Sequence, residues 1–87
     1  MNDEVVVLTG GAGILGQRLA LALATCGARV AVLDKDQGRL SEMTSRHGEG
    51  IRGYVCDICQ PHELRAVASR IEHELGPATA LVNAAAT

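Results

Sequence analysis

Residues 9–16 read Thr-Gly-Gly-Ala-Gly-Ile-Leu-Gly, and they join two stretches with different hydrophobic periods. Before them, residues 5–8 form a short β-branched apolar run, which is typical of a strand buried on both faces. After them, residues 14–26 carry apolar side chains at helical spacing, and Gly27 stands where a helix would end. The stretch therefore predicts a strand, a glycine-rich turn and a helix that is buried over most of its circumference.

The glycines of this turn predict an anion site at the start of the helix. They fit the spacing Gly-x-Gly-x-x-Gly from residue 11 and Gly-x-x-Gly-x-x-Gly from residue 10. A side chain there would hold a phosphate away from the backbone N–H groups, which the helix dipole makes attractive to an anion. The residues expected to hold a diphosphate are Gly10, Gly11, Gly13, Ile14, Leu15 and Gly16. A tight turn without a ligand is the alternative.

An acidic residue follows the second apolar run. Residues 30–33 predict another buried strand, and Asp34 closes it 18 residues after Gly16. A carboxylate there can accept both hydroxyls of an adenosine ribose and would repel a 2′-phosphate. The glycine turn and Asp34 together predict a dinucleotide site that prefers NAD to NADP. Lys35, also predicted to contact the cofactor, and Arg39 leave that preference open, because either cation could reach a phosphate. The alternative for both side chains is a solvated position on the surface.

Strands and helices alternate along the remaining chain. Asp36 can cap a helix that runs to about His47. Residues 51–56 predict a third strand, Pro61 opens a third helix, and residues 80–82 predict a fourth strand. This order predicts an α/β fold of the Rossmann type, with three αβα layers around a parallel sheet in the order 3-2-1-4. We expect the first two helices on one face of the sheet and the third on the other.

Composition excludes several classes of function. The 87 residues are 47% hydrophobic and 21% charged, which is typical of one globular domain. A net charge of −2 and a single aromatic residue, Tyr54, argue against nucleic-acid binding. The longest apolar run, residues 19–24, is too short to cross a membrane, and the acidic N-terminus does not resemble a secretory signal. Three cysteines, an odd number, favour reduced thiols and a cytoplasmic location.

Cys56, Cys59 and His62 form a Cys-x-x-Cys-x-x-His pattern. This spacing allows either a redox-sensitive thiol near a helix start or three zinc ligands. We expect structural cysteines and no metal, because the sequence offers no evident fourth ligand. Cys26 is expected to be a small core residue of the first helix, and Tyr54 is expected to pack rather than to act in catalysis.

These segments together resemble the short-chain dehydrogenase/reductase family along the full 87 residues. Residues 56–58, Cys-Asp-Ile, are similar to the family's Asp-hydrophobic pair after the third strand. Residues 81–86, Leu-Val-Asn-Ala-Ala-Ala, are similar to its Asn-Asn-Ala-Gly stretch after the fourth strand. The resemblance implies that Asp57 binds the adenine amino group and that Asn83 supports the end of the fourth strand beside the adenosine ribose. The further cofactor-binding residues that it implies are Cys56, Ile58, Ala84 and Ala85.

The resemblance also implies hydride exchange between a nicotinamide cofactor and an alcohol or ketone. The family's catalytic Tyr-x-x-x-Lys pair, with its Ser and further Asn, has no counterpart here, since Ile58 stands four residues after Tyr54. We therefore expect residues 1–87 to be an N-terminal cofactor-binding portion that is inactive alone and meets a small-molecule substrate only in a full-length enzyme. An unpaired edge at the fourth strand would favour self-association.

Two alternatives are kept beside this interpretation. One is a non-enzymatic nucleotide-binding or interaction module, or a truncated remnant. The other is the extended branch of the family, which acts on nucleotide sugars and shares this glycine spacing, whereas the single-domain branch usually has Thr-Gly-x-x-x-Gly-x-Gly.

Overall fold

The computed structural model describes residues 4–10, 12–47 and 50–84. Strands and helices alternate along the chain as the sequence predicts, and the predicted bounds differ from the observed ones by about one residue. The elements are β1 (Val5–Thr9), α1 (Ile14–Thr25), β2 (Arg29–Asp34), α2 (Gln37–His47), β3 (Ile51–Val55), α3 (Pro61–Glu74) and β4 (Ala80–Asn83).

The four strands form one parallel sheet in the order β3-β2-β1-β4, which confirms the predicted topology. The register brings the carboxyl ends of the strands to one edge. Thr9 at the end of β1 lies opposite Leu33 of β2 and Asn83 of β4. Asp34 lies opposite Val55 at the end of β3. In open parallel sheets this edge, where the strand order reverses between β1 and β4, is the usual position of a ligand.

Alternate residues of the central strands are buried on opposite faces of the sheet. In β2, Val30 and Val32 belong to the cluster that contains residues of α1 and α2, whereas Ala31 and Leu33 belong to the cluster that contains residues of α3. The predicted distribution of the helices over the two faces is therefore confirmed. With helices on both faces, the sheet is the middle of the three αβα layers.

The prediction that α1 is buried over most of its circumference is wrong. Within this helix Gly16 and Ala20 are buried, while Leu15 is 67% exposed and Leu21 is 43% exposed. Cys26, expected in the core, is also exposed. A four-stranded sheet covers only one stripe of a helix. Gly16 and Ala20 lie in this stripe, Leu19, Leu23 and Ala24 pack against the core at its margin, and Leu15 and Leu21 face outward.

The outer edge of β4 pairs with no strand in the described part of the chain. Beside it, a cleft of about 520 Å³ lies between β4 and α3. Apolar side chains line much of this cleft, among them Leu33, Ile71 and Leu81. Leu81 is 71% exposed, so apolar surface lies open beside the fourth strand, as the sequence predicts.

Candidate functional site

The glycine turn begins at a position whose backbone conformation favours glycine. Gly10 follows β1 with φ 66°, in the left-handed region that side chains disfavour. Its N–H donates to the Leu33 carbonyl oxygen at 2.7 Å and so ties the turn to β2. That amide is already used, and an anion would therefore meet the later amides of the turn. Gly11, predicted to share this role, lies outside the described residues.

The first turn of α1 supplies those amides. Gly13 is the N-cap, and the Gln17 N–H donates to its carbonyl oxygen at 2.9 Å. The N–H groups of Ile14, Leu15 and Gly16 precede the first intrahelical bond and so have no acceptor within the helix. The first turn carries no acidic side chain to neutralise them. The positive end of the helix dipole is thus exposed where the sequence predicts a diphosphate.

Open space lies where a side chain of Gly13 would stand, at the start of α1. Its backbone angles, φ −74° and ψ 173°, are ordinary for any residue. Among the described residues other than its chain neighbours, a Cβ built on Gly13 would meet no atom within 4 Å. Folding therefore does not require glycine here, whereas the close approach of a phosphate to the backbone would. The turn fits a diphosphate on this geometric ground.

Asp34 closes β2 at the same edge of the sheet. Its Oδ1 accepts a hydrogen bond from the Asp36 N–H at 2.9 Å, which orients the carboxylate. A carboxylate has about four lone-pair positions, so this bond leaves capacity for ribose hydroxyls. Lys35 follows it and is exposed.

The loop after β3 lies beside Asp34. The Cys56 N–H donates to the Asp34 carbonyl oxygen at 3.0 Å, which joins the two strand ends. Asp57 shapes the loop, because its Oδ1 accepts from the Cys59 N–H at 3.0 Å. Its own N–H donates to the Glu63 carboxylate at 3.3 Å. Ile58, the third residue of this predicted segment, is 38% exposed.

Asn83 joins the ends of β1 and β4. The Thr9 hydroxyl donates to the Asn83 Oδ1 at 3.1 Å, and the Ala84 N–H donates to the Thr9 carbonyl oxygen at 2.9 Å. These two hydrogen bonds hold the ends of β1 and β4 together. Ala85, the last predicted residue of this segment, lies outside the described residues.

Two residues of this region escaped sequence reasoning. Thr9 is a polar residue that is only 7% exposed, and its position at the end of an apolar run could have marked it. Gln17 donates from Nε2 to the Ala12 carbonyl oxygen at 2.8 Å and holds the glycine turn against the helix. No local signal distinguishes Gln17 from an ordinary helix-surface glutamine.

The buried cysteine of the Cys-x-x-Cys segment lies in surroundings that disfavour a reactive thiolate. Burial raises the pKa of the Cys56 thiol, and the nearby Glu63 and Asp57 carboxylates raise it further. A raised pKa keeps this thiol protonated and poorly nucleophilic. Cys59 is exposed. Among the described residues, no three His, Cys, Asp or Glu side chains are placed to hold a metal ion.

Comparison with known proteins decides the family. A family model described as short chain dehydrogenase matches residues 4–87. The chain belongs to the short-chain dehydrogenase family. Among curated members of this family, cis-2,3-dihydrobiphenyl-2,3-diol dehydrogenase of Paraburkholderia xenovorans is 37% identical over 82 residues, covering 94% of this chain and 30% of that protein. L-fucose dehydrogenase of Oryctolagus cuniculus is 37% identical over 82 residues, covering 92% of this chain and 28% of that protein.

Solved structures of short-chain dehydrogenases have the same fold as this chain. A short chain dehydrogenase from Bacillus anthracis superposes with a TM-score of 0.91 at 25% identity, covering 98% of this chain and 35% of that one. A variant of actinorhodin polyketide ketoreductase, crystallised with NADPH, also gives a TM-score of 0.91, at 27% identity, covering 98% of this chain and 34% of that one. The chain thus spans about a third of the length of these relatives.

In the described part of the chain, no helix combines the length and the apolar character that a membrane span requires.

Proposed function

We propose that these 87 residues bind NAD(H) as the cofactor-binding portion of a short-chain dehydrogenase that exchanges hydride with an alcohol or ketone. The observation that carries this proposal is the open space at the Cβ position of Gly13, the N-cap of the helix whose first-turn amides have no acceptor within the helix. The position of Asp34 at the same edge of the sheet supports it. When bound, the nicotinamide supplies the redox chemistry, and the protein supplies binding and orientation.

Each part of the dinucleotide has a group of residues assigned to it in this proposal. The diphosphate lies against the turn and the first-turn amides, and the adenosine ribose lies against Asp34. The adenine lies beside the loop after β3, and Asn83 with its neighbours closes the edge at β4. The assigned residues are Gly10, Gly11, Gly13, Ile14, Leu15, Gly16, Asp34, Lys35, Cys56, Asp57, Ile58, Asn83, Ala84 and Ala85.

The substrate class rests on the relatives. Their names specify hydroxyl-bearing compounds: a dihydrodiol, a hydroxypropyl-CoM and D-threitol. We expect no turnover by the isolated 87 residues, because Tyr54 is buried and its hydroxyl is bonded to Glu74 at 2.6 Å. This burial and this hydrogen bond support a packing role for Tyr54 rather than proton donation to a substrate. Spectrophotometric assay of NADH formation with diol and polyol substrates tests this.

The binding experiment is a titration of the chain with NAD and with NADP. Asp34→Asn removes the charge that repels a 2′-phosphate and weakens the acceptor for ribose hydroxyls. We expect the ratio of NAD affinity to NADP affinity to fall by about tenfold or more, since hydrogen bonds to a charged group contribute about 1.5–3 kcal/mol. Glu42→Gln, on the exposed surface of α2, is the matched control. An unchanged ratio in Asp34→Asn would contradict the ribose role.

A second candidate function is association through β4. The unpaired outer edge of β4 in the described structure and the apolar cleft beside it favour this candidate. Unpaired strand edges next to exposed apolar surface are templates for pairing with another chain. We propose that a second copy of the chain pairs there when nothing else covers the edge.

We also propose that the protein is cytoplasmic. Its three cysteines are free, as a reducing compartment would keep them.

A further inference from the structure

A chain of hydrogen bonds and one ion pair connects Asp34 to the first turn of α2. The Asp36 N–H donates to Asp34 Oδ1 at 2.9 Å. The Asp36 carboxylate then uses both of its oxygens on Arg39: Oδ1 accepts from the backbone N–H at 3.1 Å, and Oδ2 lies 3.6 Å from the guanidinium Nε. Asp36 is thus a helix cap and the counter-ion of Arg39 at once.

This arrangement bears on the choice between two dinucleotides that differ only by a 2′-phosphate. In the proposed site the ribose lies at Asp34, so a 2′-phosphate would lie near the start of α2. Arginine is well suited to a phosphate, because its planar guanidinium can donate two parallel hydrogen bonds. Here the charge of Arg39 is already opposed by Asp36, whose own negative charge would also face an incoming phosphate.

We propose that Asp36 is a positioning residue for cofactor selectivity: by holding the Arg39 guanidinium, it withholds a cation from a 2′-phosphate and so favours NAD over NADP. This inference rests on the proposed dinucleotide site. Asp34 would discriminate by direct contact with the ribose, whereas Asp36 acts through Arg39. Selectivity would thus depend on two carboxylates that are linked by one backbone hydrogen bond.

The two roles of Asp36 can be separated by one substitution. Asn is about as good an N-cap as Asp, so Asp36→Asn keeps an Oδ1 acceptor for the Arg39 N–H and removes the charge that pairs with the guanidinium. We expect the affinity for NADP relative to NAD to rise about two- to fivefold, the range that an ion pair between two exposed side chains allows. The gain should shrink at high salt, because screening weakens exposed charge pairs.

Two further variants identify the cation. Arg39→Ala alone should leave the NADP to NAD affinity ratio nearly unchanged, since its guanidinium is already paired. The double variant Asp36→Asn with Arg39→Ala should lose the gain. Lys35 is kept in all of these variants, so a gain that survives the loss of Arg39 would assign the effect to Lys35 or to the general loss of negative charge, and would overturn the proposal.

The measurement is an NMR titration of the ¹⁵N-labelled 87-residue chain with NAD and with NADP, supported by thermal unfolding of each variant. A purely structural effect of Asp36→Asn would change the melting temperature without changing the affinity ratio. If NAD binds and Asp36→Asn leaves the ratio unchanged, the role of Asp36 fails while the proposed site stands. If neither nucleotide shifts the amides of residues 13–16, the site and this inference fail together.

Discussion

Gly10 and Gly13 stand three residues apart in one turn, and different physical demands act on them. Gly10 has φ 66°, a conformation that costs a residue with a Cβ about 1–2 kcal/mol. Gly13 has ordinary angles and empty space where its Cβ would be. Gly10 is therefore required by the backbone conformation of the turn. The fold does not require glycine at position 13, so this residue can serve ligand binding instead.

This difference yields a matched pair of variants. Gly13→Ala should keep the free energy of unfolding within about 1 kcal/mol of the wild type, the usual cost of alanine at an N-cap. It should weaken NAD binding by about tenfold or more, because a methyl group would stand between the phosphate and its charge-assisted hydrogen bonds. Gly10→Ala should instead destabilise the fold. Urea unfolding and NAD titration of both variants test this, and unimpaired NAD binding by Gly13→Ala would refute the phosphate role.

Tyr54 is the centre of a polar contact between β3 and α3. Its hydroxyl and the Arg52 guanidinium both donate to Glu74 Oε1, at 2.6 and 3.1 Å, and the Arg70 guanidinium lies 5.1 Å from the centre of its ring. The Tyr54 hydrogen bond, followed by the charges of Arg70 and Arg52, lowers the pKa of Glu74 below its ordinary value of 4.5. Sequence reasoning assigned Tyr54 to packing and did not predict these partners.

The lowered pKa sets the sign of a pH effect. A carboxylate whose folded pKa lies below its unfolded pKa stabilises the protein above the unfolded value, and this contribution is lost as the pH falls through the folded value. The free energy of unfolding should therefore decline below about pH 4.5. Tyr54→Phe should make the contribution of Glu74 to this decline smaller. The same substitution should lower the melting temperature at neutral pH by a few degrees. Thermal unfolding between about pH 3 and about pH 7 measures both effects, with Glu74→Gln as the control that removes the titrating group. A decline of equal size in all three proteins would exclude Glu74 as its source.

At the scale of elements, two glycines show how closely α2 and β3 pack. Gly53 lies within β3, and a Cβ built there would lie 3.2 Å from Leu40 Cδ2 and 3.3 Å from Leu40 Cβ. Gly38 lies in the first turn of α2, where a Cβ would meet only the Asp36 Oδ1, at an ordinary 3.4 Å. Helix and strand are therefore in close contact at Gly53, whereas Gly38 only weakens the helix.

Alanine substitutions at these two glycines should have opposite effects. Gly38→Ala should stabilise the protein by about 0.5–1 kcal/mol, because alanine loses less backbone entropy in a helix. Gly53→Ala should destabilise it by about 1–3 kcal/mol, because Leu40 and with it α2 must move outward. Urea unfolding of both variants is the measurement. A neutral Gly53→Ala would show that α2 is not held firmly against β3.

At the scale of the whole molecule, the two strands that flank β1 in the sheet, β2 and β4, have different environments. β2 is buried on both faces, by residues of α1 and α2 on one side and of α3 on the other, whereas β4 has exposed residues and the apolar cleft between itself and α3. The relatives are about three times as long as the region that this chain matches. Leu81 and the apolar cleft beside β4 form an exposed surface that a second chain could cover.

The association proposed for β4 can be tested with one charge. Leu81→Lys places a cation on the exposed strand edge, a device by which natural sheets prevent edge pairing. We expect it to lower the dimer fraction measured by analytical ultracentrifugation over a range of chain concentrations. Leu21→Lys introduces the same charge on the outer surface of α1 and should leave that fraction unchanged. A wild-type chain that stays monomeric at every concentration would rule the association out.

The amino-acid sequence by itself determined the order of the elements, the strand order and the cap of α2, where Asp36 accepts the Arg39 N–H as predicted. These features follow from hydrophobic period and capping, which act over a few residues, and from the restricted handedness of parallel crossovers. Only the tertiary structure decided which side of α1 is buried and that Cys26 is exposed.

The tertiary structure also decided the contacts that shape the candidate site. The Thr9 hydroxyl meets Asn83 across 74 residues of chain, and the Gly10 amide is taken by the Leu33 carbonyl oxygen of the neighbouring strand. Such partners depend on the register of strands that are distant in sequence, and no local pattern encodes that register. The sequence therefore indicated which residues stand at the strand ends, and packing decided which of their polar groups are hydrogen bonded to other parts of the protein.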